Sequence, residues 1–249
     1  MYPFSEYNLR DVISEQHNKL SKHVNKYTND EIMANDFDLL ADNCYEKFSI
    51  EPVVIGDEEF DKRFINQTKI KKKRDKFLSN IDGIEFIYID GVEMMFYFNY
   101  TGDSELFKCQ ASTYSSFYPE IKLTDNYIAF KYSATLYETE QPDYREKIME
   151  RLQRDLELIK NGTGYVNKDV ERYNNGLREM AVNLLEERKK KIEQFYTISK
   201  AFEVPLKKTE YAQQIHIPAV RKINPIKKFM ITLQATMLAI LSIQIFCLQ

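Results

Sequence analysis

The residues able to do chemistry in this chain are few and scattered. His17, His23 and His216 are its histidines. His17 and His23 stand six apart, so on one helix they fall well off a common face, and neither has an acidic residue four positions away to complete a metal pair. Both read as surface histidines. His216 falls in a proline-containing stretch, a poor place to position a general base. Cys44, Cys109 and Cys247 are an odd number with no C-x-x-C pair, which argues against a disulfide framework or a zinc site and for a reducing compartment. Cys109 follows Lys108 on an expected strand with no histidine near it in sequence, so a reactive thiol has no base to activate it. The G-x-S-x-G, G-x-G-x-x-G and G-x-x-x-x-G-K-[ST] spacings are missing, and with them the backbone geometry of nucleophile elbows, dinucleotide folds and phosphate loops. Acidic pairs such as Glu58-Glu59, and Asp90 with Glu93, reflect abundance. The expectation is a non-enzymatic protein with no catalytic residue, no metal ligand and no cofactor.

One compact basic run stands out: Lys69, Lys71, Lys72, Lys73, Arg74 and Lys76. These are the candidate nucleic-acid contacts. A solvated helix face or loop is the preferred reading, because no aromatics are interleaved for base stacking and 35 Lys plus Arg against 38 Asp plus Glu give the whole chain a net charge of −3.

The elements that must position these residues follow from hydrophobic spacing. Leu9, Ile13, Leu20 and Val24 recur at helical intervals over residues 6–25, and a second helix starting at the Thr28-Asn29-Asp30-Glu31 cap runs to about Phe48. The β-branched run from Val53 to Ile55, entered through Pro52, predicts a first strand. Residues 84–89 and 92–98 flank Asp90-Gly91, a pair suited to a type I′ turn, which predicts a hairpin there. Residues 106–111 and 127–132 add further runs, making four or five strands of one antiparallel sheet. The dense tyrosines and phenylalanines of this region read as core and cross-strand packing.

Beyond Glu138 the pattern turns helical. Ile148, Leu152, Leu156 and Ile159 form one stripe. Val166, Val170, Tyr173, Leu177, Ala181, Leu184, Arg188, Ile192, Phe195 and Phe202 form a second. Asn161-Gly162-Thr163-Gly164 between them reads as a helix end and tight turn, predicting an antiparallel, coiled-coil-like helical hairpin.

Residues 229–249, FMITLQATMLAILSIQIFCLQ, carry no charge in a chain where charged residues make up 29%. As a helix this stretch spans about 30 Å, the thickness of a bilayer core. Thr232, Gln234, Thr236, Ser242 and Gln244 interrupt it. Arg221, Lys222, Lys227 and Lys228 lie just upstream, so the positive-inside rule predicts a single-pass tail anchor with the N-terminal body in the cytoplasm. The other readings are a buried core helix, an interfacial helix, or a truncated or out-of-frame end that leaves the protein cytoplasmic.

Several pieces resemble the N-terminal region of a family of bacterial proteins that carry a C-terminal PD-(D/E)xK, restriction-endonuclease-like domain. They are residues 45–48 leading into the Pro52 strand, residues 110–115, the helix containing Glu187-Arg188-Lys189-Lys190-Lys191, residues 204–208, and residues 215–218. In that family the linker leads into the nuclease domain, whereas here it leads into the apolar tail. The resemblance therefore implies an accessory region and brings no nuclease residue with it.

The sequence thus predicts an α+β fold. Residues 1–50 form N-terminal helices, 51–137 an antiparallel sheet, 138–202 a long antiparallel helical hairpin, 203–228 a basic proline-containing linker and 229–249 an apolar, transmembrane helix. The function expected is a tail-anchored interaction or sensor module that contacts a membrane through 229–249 and a protein partner. The alternative is a nucleic-acid-binding accessory region of a truncated restriction-endonuclease-like protein.

Overall fold

The computed structural model describes residues 1–56 and 62–204. The linker from 205 onward, the apolar tail, His216, Cys247 and the flanking Arg221, Lys222, Lys227 and Lys228 lie outside the described residues. The elements in chain order are β1 (Tyr7–Asn8), α1 (Leu9–Val24), α2 (Asn29–Ala34), α3 (Phe37–Phe48), β2 (Val54–Ile55), β3 (Lys62–Lys73), α4 (Lys76–Asp82), β4 (Phe86–Thr101), β5 (Cys109–Gln110), β6 (Lys122–Leu123), β7 (Tyr127–Thr135), α5 (Leu136–Thr139) and α6 (Tyr144–Ala201), with a 3-10 turn at Ser104–Lys108. The fold mixes helix with antiparallel sheet. The described residues divide into two compact units, Met1–Glu6 with Val53–Tyr165, and Tyr7–Pro52 with 166–204.

The first unit is built on a five-stranded antiparallel sheet in the order β2, β4, β7, β6, with β3 also paired to β4. Alternation decides its core. Met94, Phe96 and Phe98 of β4 lie directly opposite Tyr132, Phe130 and Ile128 of β7, and all six are buried. Leu152 and Ile159 from the first part of α6 are buried too. The Tyr132 hydroxyl donates to the Asp155 carboxylate at 2.9 Å, so the buried phenol has its partner.

Residues 104–108 form a 3-10 turn where the sequence suggested a strand, and two further expectations fail in this unit at a glycine. Asp90-Gly91 makes no hairpin turn. β4 runs unbroken through it, with Gly91 paired to Thr68 on one side and Thr135 on the other. A Cβ on Gly91 would lie 2.4 Å from the Ala134 carbonyl oxygen and 2.5 Å from Ile70 Cγ1, so glycine is there to let strands approach. The reversal comes earlier, between β3 and β4, where Asp75 caps α4 and Gly83, at φ 75°, ends it in the left-handed conformation. The helical hairpin is likewise absent. α6 continues through residues 161–164, with the Thr163 hydroxyl donating to the Ile159 carbonyl within the helix. Gly162 faces Phe4 and Tyr118, whose rings a Cβ would meet at 2.5 and 2.7 Å. It serves close packing, where the sequence suggested a turn.

The second unit is helical. α1 buries Leu9, Val12, Gln16, Leu20 and Val24, a stripe at three- and four-residue steps. The single helix expected over residues 28–48 is two, because α2 ends at Asn35 and Asp36 starts α3 with its own side-chain cap. From Val166 on, α6 buries Val166, Val170, Tyr173, Leu177, Ala181, Leu185 and Ile192. Leu185 takes the place expected of Leu184, and Phe195 and Phe202 are exposed. Asn174 ties α6 to the chain after α3, accepting from the Ile50 N–H at 3.0 Å and donating to the Ile50 carbonyl at 2.8 Å.

Candidate interaction surface

The basic run lies on a strand and its turn, where the sequence suggested a helix face or loop. Lys69, Lys71, Lys72 and Lys73 end β3, Arg74 follows, and Lys76 opens α4. Strand pairing then supplies what the linear sequence hid. β7 pairs with β4 only from Asn99 back to Gly91, while β3 stays paired with β4 down to Lys73 and Phe86. Residues 69–73 and 86–90 therefore form a two-stranded arm closed by α4, with no third strand among the described residues.

Cross-strand register puts Lys71 opposite Tyr88 and Lys73 opposite Phe86 on one face. Ile70 opposite Ile89 and Lys72 opposite Ile87 share the other. The aromatics missing from between the lysines in sequence are thus beside them in space. Past the end of β7 the apolar side chains lose their cover. Phe77 is 73% exposed, Ile81 68% and Tyr88 65%. Leu78, Ile84, Phe86, Ile87 and Ile89 are exposed as well. The expectation that this region's aromatics are core holds for Phe96 and Phe98 and fails for Phe86 and Tyr88.

The charges of the arm are partly matched. Lys69 pairs with Asp90 at 2.6 Å, Lys72 with Glu138 of α5 at 2.7 Å, and Arg74 with Asp82. The Lys72 ammonium, together with the N–H and hydroxyl of Thr135, holds the Glu138 carboxyl down to about 2. Asp82 is also lowered, first by the Ile84 N–H and then by Arg74. Lys71 leans over the Phe86 ring, its ammonium 4.0 Å from the centroid. Lys73 and Lys76 have no carboxylate partner among the described residues. The surface is therefore amphipathic, with an apolar tip and unneutralised ammonium groups behind it.

The remaining sequence candidates that are described pack against their neighbours. His17 is half-buried against the Tyr173 ring, centroids 5.3 Å apart, and His23 packs on Tyr27 and Phe48, so neither is the surface histidine expected. Burial, reinforced by Lys47 and Lys26, pushes His23 down to about 4. Cys109 is buried, its thiol pushed up to about 12 by burial and by Asp103 and Glu105. Cys44 is buried with its thiol raised too. Among the described residues no cluster of His, Cys, Asp and Glu is placed to hold a metal ion. No described helix is long and apolar enough to cross a membrane.

Compared with family models, with curated proteins and with solved structures, the chain matches none. The sequence held one signal for this surface that reasoning from periodicity passed over. Residues 77–89 place apolar side chains on both faces of a strand and on a short helix, more than a single core-facing side requires.

Proposed function

We propose that this protein is an interaction module that works by binding, held at a membrane by residues 229–249, with the β3, α4 and β4 arm as its contact element. The observation that carries the reading is the cluster of exposed apolar side chains on the arm, Phe77, Ile81 and Tyr88 foremost, on a ribbon flanked by lysines. Contiguous exposed apolar surface of this kind marks a binding site on a soluble body. The anchor is supported by the uncharged stretch of 21 residues at 229–249 and by Arg221, Lys222, Lys227 and Lys228 before it. In this reading the body faces the cytoplasm and the arm reaches a partner at the same membrane.

A nucleic-acid-binding accessory role, as the nuclease-associated resemblance implies, is the second reading. The specific observation in its favour is the placing of Tyr88 and Phe86 opposite Lys71 and Lys73. It predicts binding that weakens steeply with salt and is lost on neutralising Lys71, Lys72, Lys73 and Arg74.

Cell fractionation separates the parts of the first reading. Full-length chain stays in the membrane pellet through carbonate extraction. A chain ending at Lys228 is released by carbonate yet still sediments with membranes at low salt, and the substitutions Phe77→Asp and Ile81→Asp remove that residual sedimentation. Carbonate resistance of the shortened chain would refute the anchor. Unchanged sedimentation of its arm variants would refute the arm.

A further inference from the structure

We infer that the arm docks on a membrane surface rich in anionic phospholipid, with the α4 tip entering the headgroup layer and the lysines meeting the phosphates. The inference rests on the reading of the arm as the contact element and names what it contacts.

Three features select this occupant over others. The first is the chemistry of the tip. Leu78, Ile81, Ile84 and Ile87 are aliphatic and exposed, and an aliphatic side chain offers a nucleobase no π face to stack on, whereas it gains by leaving water for the acyl boundary. The second is charge. Residues 69–90 hold six Lys and Arg against Asp75, Asp82, Glu85 and Asp90, and the basic groups left without a carboxylate, Lys71, Lys73 and Lys76, sit at the arm's end beside the apolar tip. An apolar wedge backed by ammonium groups is complementary to a layer whose interior is hydrocarbon and whose surface is negative. The third is shape. α4 has seven residues and none is buried, so it presents side chains on more than one side, as a wedge does and a groove-filling helix does not.

The sequence supplies an unusually clean reporter, since the chain contains no tryptophan. Phe77→Trp, at a position 73% exposed, places a single indole at the tip, and Ile81→Trp repeats it at a second exposed position. Phe117→Trp, 66% exposed and outside the arm, is the control. Each variant, in the chain ending at Lys228 so that residues 229–249 cannot insert by themselves, is mixed with vesicles of phosphatidylcholine alone or of phosphatidylcholine with phosphatidylglycerol, with and without brominated acyl chains. The inference predicts blue-shifted, bromine-quenched emission from Trp at 77 and 81 with the anionic vesicles and not the neutral ones, and unchanged emission at 117. Replacing Lys71, Lys73 and Lys76 with Gln should raise the lipid concentration needed by about fivefold for each charge removed. Emission that stays that of exposed indole on both vesicle types overturns the inference, as does an equal shift on both. A shift with single-stranded DNA or RNA in place of vesicles also overturns it, in favour of a polynucleotide. In any of these cases the arm survives as contact element if Phe77→Asp and Ile81→Asp still abolish sedimentation with cellular membranes. It falls only if they do not.

Discussion

The ammonium of Lys71 lies 4.0 Å from the centre of the Phe86 ring, diagonally across the ladder that joins β3 to β4. Phe86 remains 40% exposed beneath it. A cation laid over an exposed aromatic ring contributes about 0.5–1 kcal/mol. Lys71→Ala should therefore cost no more than about 1 kcal/mol. A double-mutant cycle with Phe86→Ala, read by chemical denaturation, should recover coupling of that size.

The arm's tip should tolerate change without loss of fold. Phe77 and Ile81 have most of their surface in water, so Phe77→Asp and Ile81→Asp should each stay within about 0.5 kcal/mol of the parent. Far-ultraviolet circular dichroism and denaturation midpoints check this, and a large loss would show that these side chains are packed.

Glycines along α6 should respond in opposite directions. Gly164 and Gly176 have open space where a Cβ would stand, so Ala at either should stabilise by about 0.5–1 kcal/mol through helix propensity. Gly162→Ala drives a methyl into the Phe4 and Tyr118 rings and should destabilise by about 1–3 kcal/mol. Equal stabilisation at all three would mean that α6 does not pack as described.

These glycines also show what could be read from sequence and what could not. The α1 stripe was legible at Leu9, Leu20 and Val24, which follow one helical period, though Val12 and not Ile13 is its buried member, and the β7 run because Ile128, Phe130 and Tyr132 alternate onto one face. Gly91 and Gly162 were not, since a glycine needed for positive φ and one needed for close approach look the same in a string of letters. Asp90-Gly91 and Asn161-Gly162 carry turn chemistry that tertiary packing overrides. The arm was hidden for a different reason. Phe86 and Tyr88 are strand residues like Phe96 and Phe98, and only the point at which β7 stops pairing separates the exposed pair from the buried one.

Asn174 should be sensitive out of proportion to its size. Its amide satisfies both the N–H and the carbonyl of buried Ile50. Asn174→Ala leaves both without that partner and should cost about 2 kcal/mol, measured by denaturant unfolding. Asn174→Asp should do no better, because a carboxylate has no donor for the Ile50 carbonyl.

Acid should weaken the helical unit through His23. Its imidazole is lowered from 6.5 to about 4, first by burial and then by Lys47 and Lys26, with the Tyr27 hydroxyl and the Phe48 ring also against it. The unfolded chain therefore takes up a proton first as pH falls, so stability is intact above about 6.5 and drains between about 6.5 and 4. The loss should be on the order of 2 kcal/mol, at about 1.4 kcal/mol for each tenfold change in proton affinity and with partial exposure allowed for. His23→Gln should flatten the pH dependence of unfolding in that window. His17, lowered by burial as well, contributes a slope of the same sign. An unaltered slope would show that His23 is solvated.

The most direct test of the arm as contact element is to place a photo-crosslinking residue at position 77, 81 or 117 of the full-length chain in living cells and compare the adducts formed on irradiation. The account predicts adducts to lipid or protein from positions 77 and 81 that disappear when the companion arm position is changed to Asp, and background from 117. Adducts no stronger at 77 and 81 than at 117, or strongest at 117, would contradict it and place the binding surface elsewhere on the molecule.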